Sequence, residues 1–497
     1  MKGDDDIAGK LIDRKDGLKA KRAAFETLWQ EVSELVLPRK ADFTVRQSAG
    51  APRTRKLFET TAVNAAELLA AGLHGLLTNP AGKWFSLTLR GHENNPRAKD
   101  WVRRVQDVMV EEFARPSAAF STNIHEVYLD LAVLGTAGLY LGWNDEKDSL
   151  LFQARFLGDL FIEENDAGQI DSVFRIFRRT LKQIVDTWGI GALPDSLKSA
   201  YEANPDSRET VELMHAIVPN PDYVKGRLNS KPVLSVYVCT DARHVLYRGG
   251  FDETPLFVVR WCKASGEVYG RSPAISSLPD IKMLQEMMKE TIIAAQLANR
   301  PPLLVRDDEQ FSPAATVPGG VLRYSGEAPK TFVSGANSSV GLGIMNEIRA
   351  RLRTAFFNDQ LTTQNAAAMT ATEVLQRTEE KMRLLGPALG RVQTELLGPM
   401  IERAFGLLYR HGRLPDLPDG VAFKDVAIEY LSPLASAQKR YESGALLQTL
   451  ELARGFIELN PDAANVFDVP KIVRKIGKMY GACDGLMTPE NKEDARE

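Results

Sequence analysis

At 497 residues the chain has length for about two to four domains of about 100 to 200 residues, which excludes a miniature scaffold stapled by disulfides. With 44% hydrophobic and 26% charged residues, 37 Gly and 26 Pro, it stands near the globular average and far from disordered or collagen-like compositions. The 62 Lys and Arg against 65 Asp and Glu leave a net charge of -3, which excludes the overall basic excess of a tight, nonspecific duplex binder, so any DNA contact is local or weak.

Cys239, Cys262 and Cys483 are an odd set without a CxxC pair, which argues for reduced thiols rather than a disulfide framework or a cysteine-rich zinc site. The stretch Met1-Lys-Gly-Asp-Asp-Asp6 is polar and acidic where a signal peptide is basic and then apolar. The longest uncharged run, Leu68 to Gly82, is short for a span and is broken by Gly72, His74, Gly75 and Asn79-Pro80, so no transmembrane helix is expected.

In chain order, Phe25, Leu28, Trp29, Val32, Leu35 and Val36 recur at helical spacing until Pro38, predicting a long amphipathic helix over Ile7 to Leu37. A basic irregular segment follows, and Thr60 and Thr61 offer caps for an Ala/Leu-rich helix ending before Asn79-Pro80. Trp84 to Leu89 alternates like a strand. Two more helices carry Trp101, Val105, Val108 and Phe113, then Ile124, Val127, Tyr128 and Leu131, the second reaching Gly135-Thr-Ala-Gly138. From there the texture is β: Gly138 to Trp143, Leu151 to Phe156, Asp159 to Ile162 and Ile170 to Arg178, with Asn165-Asp-Ala-Gly168 as a turn, predict a meander or hairpin sheet. A helix near Leu181 to Trp188 precedes strands at Thr210 to Val218, Val233 to Cys239 and Leu256 to Cys262. Ile275 to Asn299 is a periodic helix stopped by Arg300-Pro-Pro302, a Pro/Gly-rich module follows, and helix resumes from Val340 to Phe357. The nearly uncharged run Asp359 to Met369 reads as an exposed loop, Thr370 to Arg410 as a helix kinked at Gly386-Pro387 and Gly398-Pro399, and Val426 to Tyr430 as a strand. Helices then reach Tyr480, and the last ten residues read as disordered.

The motifs of chemistry are missing. No GxxxxGK[ST] loop occurs, and the six histidines are scattered: His125-Glu126 lacks the second histidine of a zinc helix. Gly270-Arg-Ser-Pro-Ala274 resembles a nucleophile elbow only superficially, since Ala holds its fifth place and Pro follows the serine; a helix-entry turn explains it. Paired acids such as Glu163-Glu164, Asp307-Asp308 and Glu379-Glu380 sit where solvated turns or helix faces are expected. No catalytic residue, metal site or cofactor is assigned. Trp29, Trp84 and Trp101 are assigned to the core.

A series of segments then occurs in a specific order: Arg53 to Phe58 with Glu59-Thr-Thr61 and an Ala-rich helix, Leu76-Leu-Thr-Asn-Pro80 and Trp84-Phe85, Leu134-Gly-Thr-Ala137, and Asp166-Ala-Gly168. After these come Gly266-Glu-Val-Tyr-Gly-Arg-Ser-Pro273, Leu278-Pro-Asp280, Pro301-Pro302 and Met369-Thr-Ala-Thr-Glu-Val374. The series, over roughly residues 10 to 430, resembles the portal proteins, or head-to-tail connectors, of T7-like short-tailed bacteriophages. Glu59-Thr-Thr61 stands where the family pattern has an Asp-Ser/Thr turn.

The resemblance implies an α+β portal-type subunit with an α/β wing, antiparallel stem helices, a small clip and a mainly helical crown. Its implied parts are a wing body over 1–274, stem helices at 275–300 and 339–358, a clip at 301–338, a tunnel loop at 359–369, a long kinked helix returning to the wing at 370–433, and a crown with a disordered tail at 434–497. It implies a non-enzymatic homododecameric ring at one capsid vertex, a virion component assembled in the host cytoplasm, through which double-stranded DNA is packaged and later ejected. Implied partners are the terminase large subunit, the tail adaptor, and capsid and scaffolding proteins, without membrane insertion. Lys282, Lys289, Arg349, Arg353, Gln364 and Asn365 are the DNA-channel candidates, and Arg306, Asp307 and Asp308 the clip candidates for partner binding. Arg349 and Arg353, four apart, share a helix face. The rival readings are another ring-forming virion component such as a tail adaptor, and a DNA-processing enzyme.

Overall fold

The first helix, α1 (Lys2–Val36), ends where Pro38 opens a 3₁₀ turn (Pro38–Lys40). The computed structural model describes residues 2–48, 50–80, 82–91, 95–227, 230–299, 303–304, 330–331, 338–361, 385–418 and 425–430. Arg306, Asp307, Asp308, Gln364, Asn365, Cys483 and the crown segment 434–497 lie outside them, as do most of the clip and nearly all of the tunnel loop.

Trp29, Val32, Leu35 and Val36 of α1 enter the main core, while Ala8, Leu11 and Ile12 near its start cover a sheet. Helix α2 (Thr61–Leu77) buries the stripe Ala62, Ala65, Ala66, Leu69, Ala70 and Leu73. Its start departs from expectation. Neither threonine side chain caps it; the Glu59 carboxylate accepts from Thr61 N at 2.9 Å and from Thr61 Oγ1 at 2.5 Å. An anion there satisfies an orphan N–H and meets the positive end of the helix dipole.

Strand β1 (Phe85–Leu89), α3 (Pro96–Ala114) and α4 (Phe120–Leu134) follow. The β region then divides. Strands β2 (Thr136–Asn144) and β3 (Ser149–Arg155) form a hairpin, while β4 (Leu160–Glu164) and β5 (Ile170–Thr180) begin a second sheet. After α5 (Leu181–Trp188) and α6 (Asp195–Ala203), β6 (Thr210–Pro219), β7 (Val233–Cys239) and β8 (His244–Phe251) extend that sheet in the order β4-β5-β6-β7-β8, all antiparallel. The next strand, β9 (Leu256–Arg260), returns to β2, giving β3-β2-β9.

The strands expected to form a meander or hairpin sheet are therefore divided between two sheets. The break is at Leu157–Asp159, one 3₁₀ turn. There Arg22 of α1 donates to the carbonyls of Leu157, Gly158 and Leu160 and lies 3.8 Å over the Phe161 ring. Among the described residues α6, β8 and a short helix at Asn358–Leu361, where the run from Asp359 was expected to be loop, escaped the sequence reading. Gly249-Gly250 looks like a strand breaker, yet a Cβ on Gly250 would stand 2.8 Å from the Val233 carbonyl oxygen, so the missing side chain lets neighbouring backbone approach.

Helix α7 (Pro273–Ser276) leads into α8 (Leu278–Asn299), which runs to a two-residue ladder of β10 (Leu303–Leu304) with β11 (Lys330–Thr331). Helix α9 (Ser338–Ala355) packs back along α8, and α10 (Asn358–Leu361) follows. A helix over 385–392 passes into a π turn (Gln393–Leu397) and then α11 (Gly398–Arg410). The irregularity expected at Gly398-Pro399 takes this form: Pro399 has no N–H, and Gly398 N–H bonds Gln393 O, five residues back. Strand β12 (Val426–Tyr430) pairs antiparallel with β1.

Trp29, Trp84 and Trp101 are all in the core as expected; Trp29 Nε1 donates to Leu134 O and Trp101 Nε1 to Pro415 O. The layers are joined by a buried hub. Arg260, 1% exposed, donates from its backbone and guanidinium to Glu395 of the π turn, from Nη1 to Glu164 and Val268 O, and from Nη2 to Gly168 O. Thus β9 ties the second sheet and the π turn together. Removing one member of such a network strands the others: Arg260→Ala is expected to lower unfolding free energy by about 3 kcal/mol, read from the denaturant midpoint.

His215 on β6 is buried and hydrogen-bonds Ser235 Oγ at 2.9 Å. Burial first, then the charges of Arg175 and Arg155, push its pKa down to about 3. The unfolded chain takes that proton near pH 6.5 and the folded one does not, so this term costs stability as pH falls from 6.5 towards 3. Between pH 7 and 5 the native protein is expected to lose about 2 kcal/mol that His215→Gln does not lose, measured by parallel denaturation at the two pH values.

Candidate functional site

Of the channel and clip side chains singled out from the sequence, the four among the described residues all fall on α8 and α9, which form an antiparallel pair rooted in the body at one end and closed by the β10–β11 ladder at the other. At 22 residues and 1.5 Å per residue, α8 is a rod of about 33 Å. Near the root its face is buried through Leu278, Ile281 and Leu284, opposite Met345, Ile348, Leu352 and Phe356 of the return. Farther out the pair exposes Ile292, Ile293, Leu342 and Ile344, between 38% and 48% each. Apolar side chains clustered in the open on a projecting helix pair mark a surface suited to packing against another macromolecule.

The root is fastened by two devices. One is the turn before α2: Gln285 Oε1 accepts from Phe58 N at 2.7 Å and Glu59 N at 3.0 Å, and its Nε2 donates to Glu59 O at 2.7 Å. The Glu59 carboxylate, besides capping α2, accepts from Arg349 Nε at 3.2 Å. One short turn therefore holds both stem helices. The sequence marked Glu59 through its motif; it gave no sign of Gln285, a neutral residue on a helix whose partners are backbone atoms 226 and 227 positions away.

The other device is a contact between glycines. A Cβ on Gly135 would lie 2.6 Å from Gly270 O and from Arg271 C, and one on Gly270 would lie 2.3 Å from Gly135 O. Around them Gly270 N donates to Thr136 Oγ1 at 2.8 Å and Trp261 N to Gly135 O at 2.9 Å. Ser272 Oγ donates to Val133 O at 2.6 Å and caps α7 by accepting from Ile275 N at 3.0 Å. Gly270 to Ala274 is thus a helix-entry turn, and the segments Leu134 to Ala137 and Gly266 to Pro273, remote in sequence, are one contact.

The four described channel candidates have different surroundings. Lys282 forms an ion pair with Glu31 of α1. Arg349 is half-buried and engaged by Glu59 and by Asn346 Oδ1. Lys289 pairs with Glu286 on its own helix at 2.9 Å, and Arg353 is exposed. On α9 three arginines stand against one glutamate, Glu347, which pairs with Arg351 at 2.6 Å. The stem therefore carries a modest positive bias, partly neutralised within the chain. Among the described residues no helix is long and apolar enough to cross a membrane, and no cluster of His, Cys, Asp and Glu suits a metal. Cys239 is buried and Cys262 exposed, both free thiols.

Gln285→Leu leaves Phe58 N, Glu59 N and Glu59 O without the partner they have here, at about 1 to 3 kcal/mol for each group that water does not reach. Hydrogen exchange at the Phe58 and Glu59 amides is expected to quicken by about tenfold or more, tenfold corresponding to about 1.4 kcal/mol; unchanged rates would show the turn to be held by other contacts.

A family model described as "Bacteriophage head to tail connecting protein" matches residues 8–487. The chain is 28% identical over 500 residues to the portal protein of Salmonella phage epsilon15, covering 97% of this chain and 89% of that protein. It is 27% identical over 498 residues, with the same coverage, to the probable portal protein of Bordetella phage BPP-1. To the portal protein of Enterobacteria phage T3 it is 24% identical over 378 residues, 70% of this chain and 66% of that one.

Proposed function

The chain belongs to the bacteriophage head to tail connecting protein family, and from that membership we propose that it is the portal subunit of a short-tailed phage. In this reading it is a structural protein that works as a homo-oligomeric ring, a dodecamer, at one capsid vertex of the virion. Double-stranded DNA passes through the ring during packaging in the host cytoplasm and again on ejection. The observation that carries the reading is the helix pair α8–α9, fastened at its root by Gln285 and the Glu59–Arg349 contact and closed at its far end by β10–β11. A projecting rod that joins a folded body to a small distal module is what a stem between wing and clip requires.

The finer parts follow the same proposal: wing over 1–274, stem at 275–300 and 339–358, clip at 301–338, tunnel loop at 359–369, the kinked helix and return at 370–433, crown at 434–497. Lys289 and Arg353, with Lys282 and Arg349 already paired to Glu31 and Glu59, give the channel a limited positive lining. Limited charge suits a conduit, because every phosphate neutralised adds salt-dependent affinity and slows transport. Gln364 and Asn365 would touch DNA without holding it by charge. Arg306, Asp307 and Asp308 would meet the terminase large subunit during filling and the tail adaptor afterwards, while other surfaces meet capsid and scaffolding proteins.

Electron microscopy of the purified protein tests the reading: closed rings of about twelve subunits with an axial channel are expected, as cyclic assemblies close on themselves. A stable dimer with a deep pocket would overturn it. Duplex DNA is expected to bind weakly, with log K falling against log salt by about 0.9 per phosphate contacted; tight, sequence-specific binding at moderate salt would contradict a conduit. Substitutions at Arg306, Asp307 and Asp308 are expected to block packaging while rings persist.

A further inference from the structure

One face of the five-stranded sheet carries a row of side chains directly opposite one another: Arg175 on β5, His215 on β6, Tyr237 on β7 and Tyr247 on β8. His215 and Tyr237 stack at 3.9 Å, and Trp188 of α5 stands 4.8 Å from Tyr237. Beside the row is a cavity of about 240 Å³ lined by Arg179, Trp188, Ser235, Tyr237, Tyr247 and Phe251. Tyr247 is 47% exposed, so its ring is open to a ligand.

The charge here is one-sided. The guanidiniums of Arg175 and Arg179 lie 4.5 and 5.7 Å from the same Phe177 ring, and Arg155 reaches in from β3 over Tyr140 at 5.1 Å. Arg155, Arg175 and Arg179 all act electrostatically on the Tyr237 hydroxyl. Their side chains donate to neutral groups, Arg155 to Gln153 and Arg179 to Thr187. Nε of Arg155 and Nε of Arg175 are buried without an acceptor. Asp159 partly offsets Arg175, but among the described residues no carboxylate comes within ion-pair distance of the three. Elsewhere in the chain buried arginines are used differently: Arg22, Arg260 and Arg403 all have carboxylates in reach.

We propose that this cavity is a binding site for a nucleoside phosphate, with the phosphate held by Arg179, the arginine that lines it, in the positive field of Arg155 and Arg175, and a single base against Tyr247 and Trp188. Among the described residues none of the three guanidiniums has a carboxylate within ion-pair distance, and guanidinium forks suit phosphate oxygens. Exposed aromatic rings beside arginines are the usual platform for a base. The size is selective: a cavity of about 150 Å³ takes a benzene-sized ring, so 240 Å³ suits one small heterocycle and not a stacked pair. The phosphate comes either as a free nucleotide or as the terminal residue of a nucleic acid strand; both present the same group.

Titration calorimetry on the full-length protein tests this with three probes: inorganic phosphate, thymidine 5′-monophosphate, and a short 5′-phosphorylated oligothymidine. The nucleotide is expected to bind once per chain, at least about tenfold tighter than phosphate, a gap of about 1.4 kcal/mol assigned to the ring contacts. Arg179→Ala is expected to weaken it at least about tenfold, and Tyr247→Ala to bring it down to the affinity of inorganic phosphate; both positions are accessible, and thermal denaturation checks that each variant is folded. A strand that binds with the same sensitivity to both variants, where the mononucleotide does not, assigns the site to strand ends and upholds it. No saturable binding of either nucleotide or strand, equal affinity for phosphate and nucleotide, or affinities untouched by both substitutions would overturn the proposal. So would selective binding of an acidic peptide in place of the nucleotide.

Discussion

Two glycines without side chains between them set the geometry on which the stem depends. Gly135 ends α4 at φ 76°, and Gly270 precedes α7; their backbones approach so closely that any Cβ would be driven into a carbonyl. The contact brings the end of one helix, the start of β2 and the entry to α8 to a single point, where Thr136 and Ser272 satisfy the backbone groups that close packing would otherwise orphan. From that point α8 leaves the body in a defined direction. Gln285 and Glu59 then hold the first turns of the pair, and beyond them both helices run into solvent with apolar residues in the open.

Arginine does much of the work of joining layers. Arg22 draws three carbonyls around the turn between the sheets, Arg260 binds the π turn to both sheets, and Arg403 donates to Leu141 O and Glu253 O beneath α11. A planar fork with five donors can satisfy several acceptors from different elements at once, which a lysine cannot. Arg155, Arg175 and Arg179 have the same chemistry but are only half-buried, and among the described residues no carboxylate pairs with them. That contrast within one chain separates a structural clasp from a surface that wants an anion.

Local patterns were legible where one element decides its own structure. The stripe on α1 and its stop at Pro38, the helix near Leu181 to Trp188, the Asn165 to Gly168 turn and the irregularity before Pro399 all follow from periodicity, turn residues or a missing N–H. What misled was long-range. The β strands were visible one by one, but not that β2 pairs with both β3 and β9 while β4 begins another sheet, because the division depends on Arg22, more than 130 positions earlier. The cap of α2 was assigned to threonine and is supplied by Glu59, since a carboxylate one place upstream also serves Arg349.

Of the candidate site, the two stem helices, the Pro/Gly-rich module between them and the family likeness were in the sequence, because hydrophobic period, helix breakers and ordered motifs are properties of neighbouring residues. The sequence by itself also determined the class, α+β, and the placing of the tryptophans in the core. Only the tertiary structure decided which stem cations are already spent, Lys282 on Glu31 and Arg349 on Glu59, and which stand in solvent. It alone showed that Leu134 to Ala137 and Gly266 to Pro273 are one contact, and that Arg179, Trp188, Tyr237 and Tyr247 line one cavity. The physical reason is range: a helix or turn is settled within a few residues, whereas an ion pair, a backbone contact or a shared field is settled by distance in space, which the order of residues does not state.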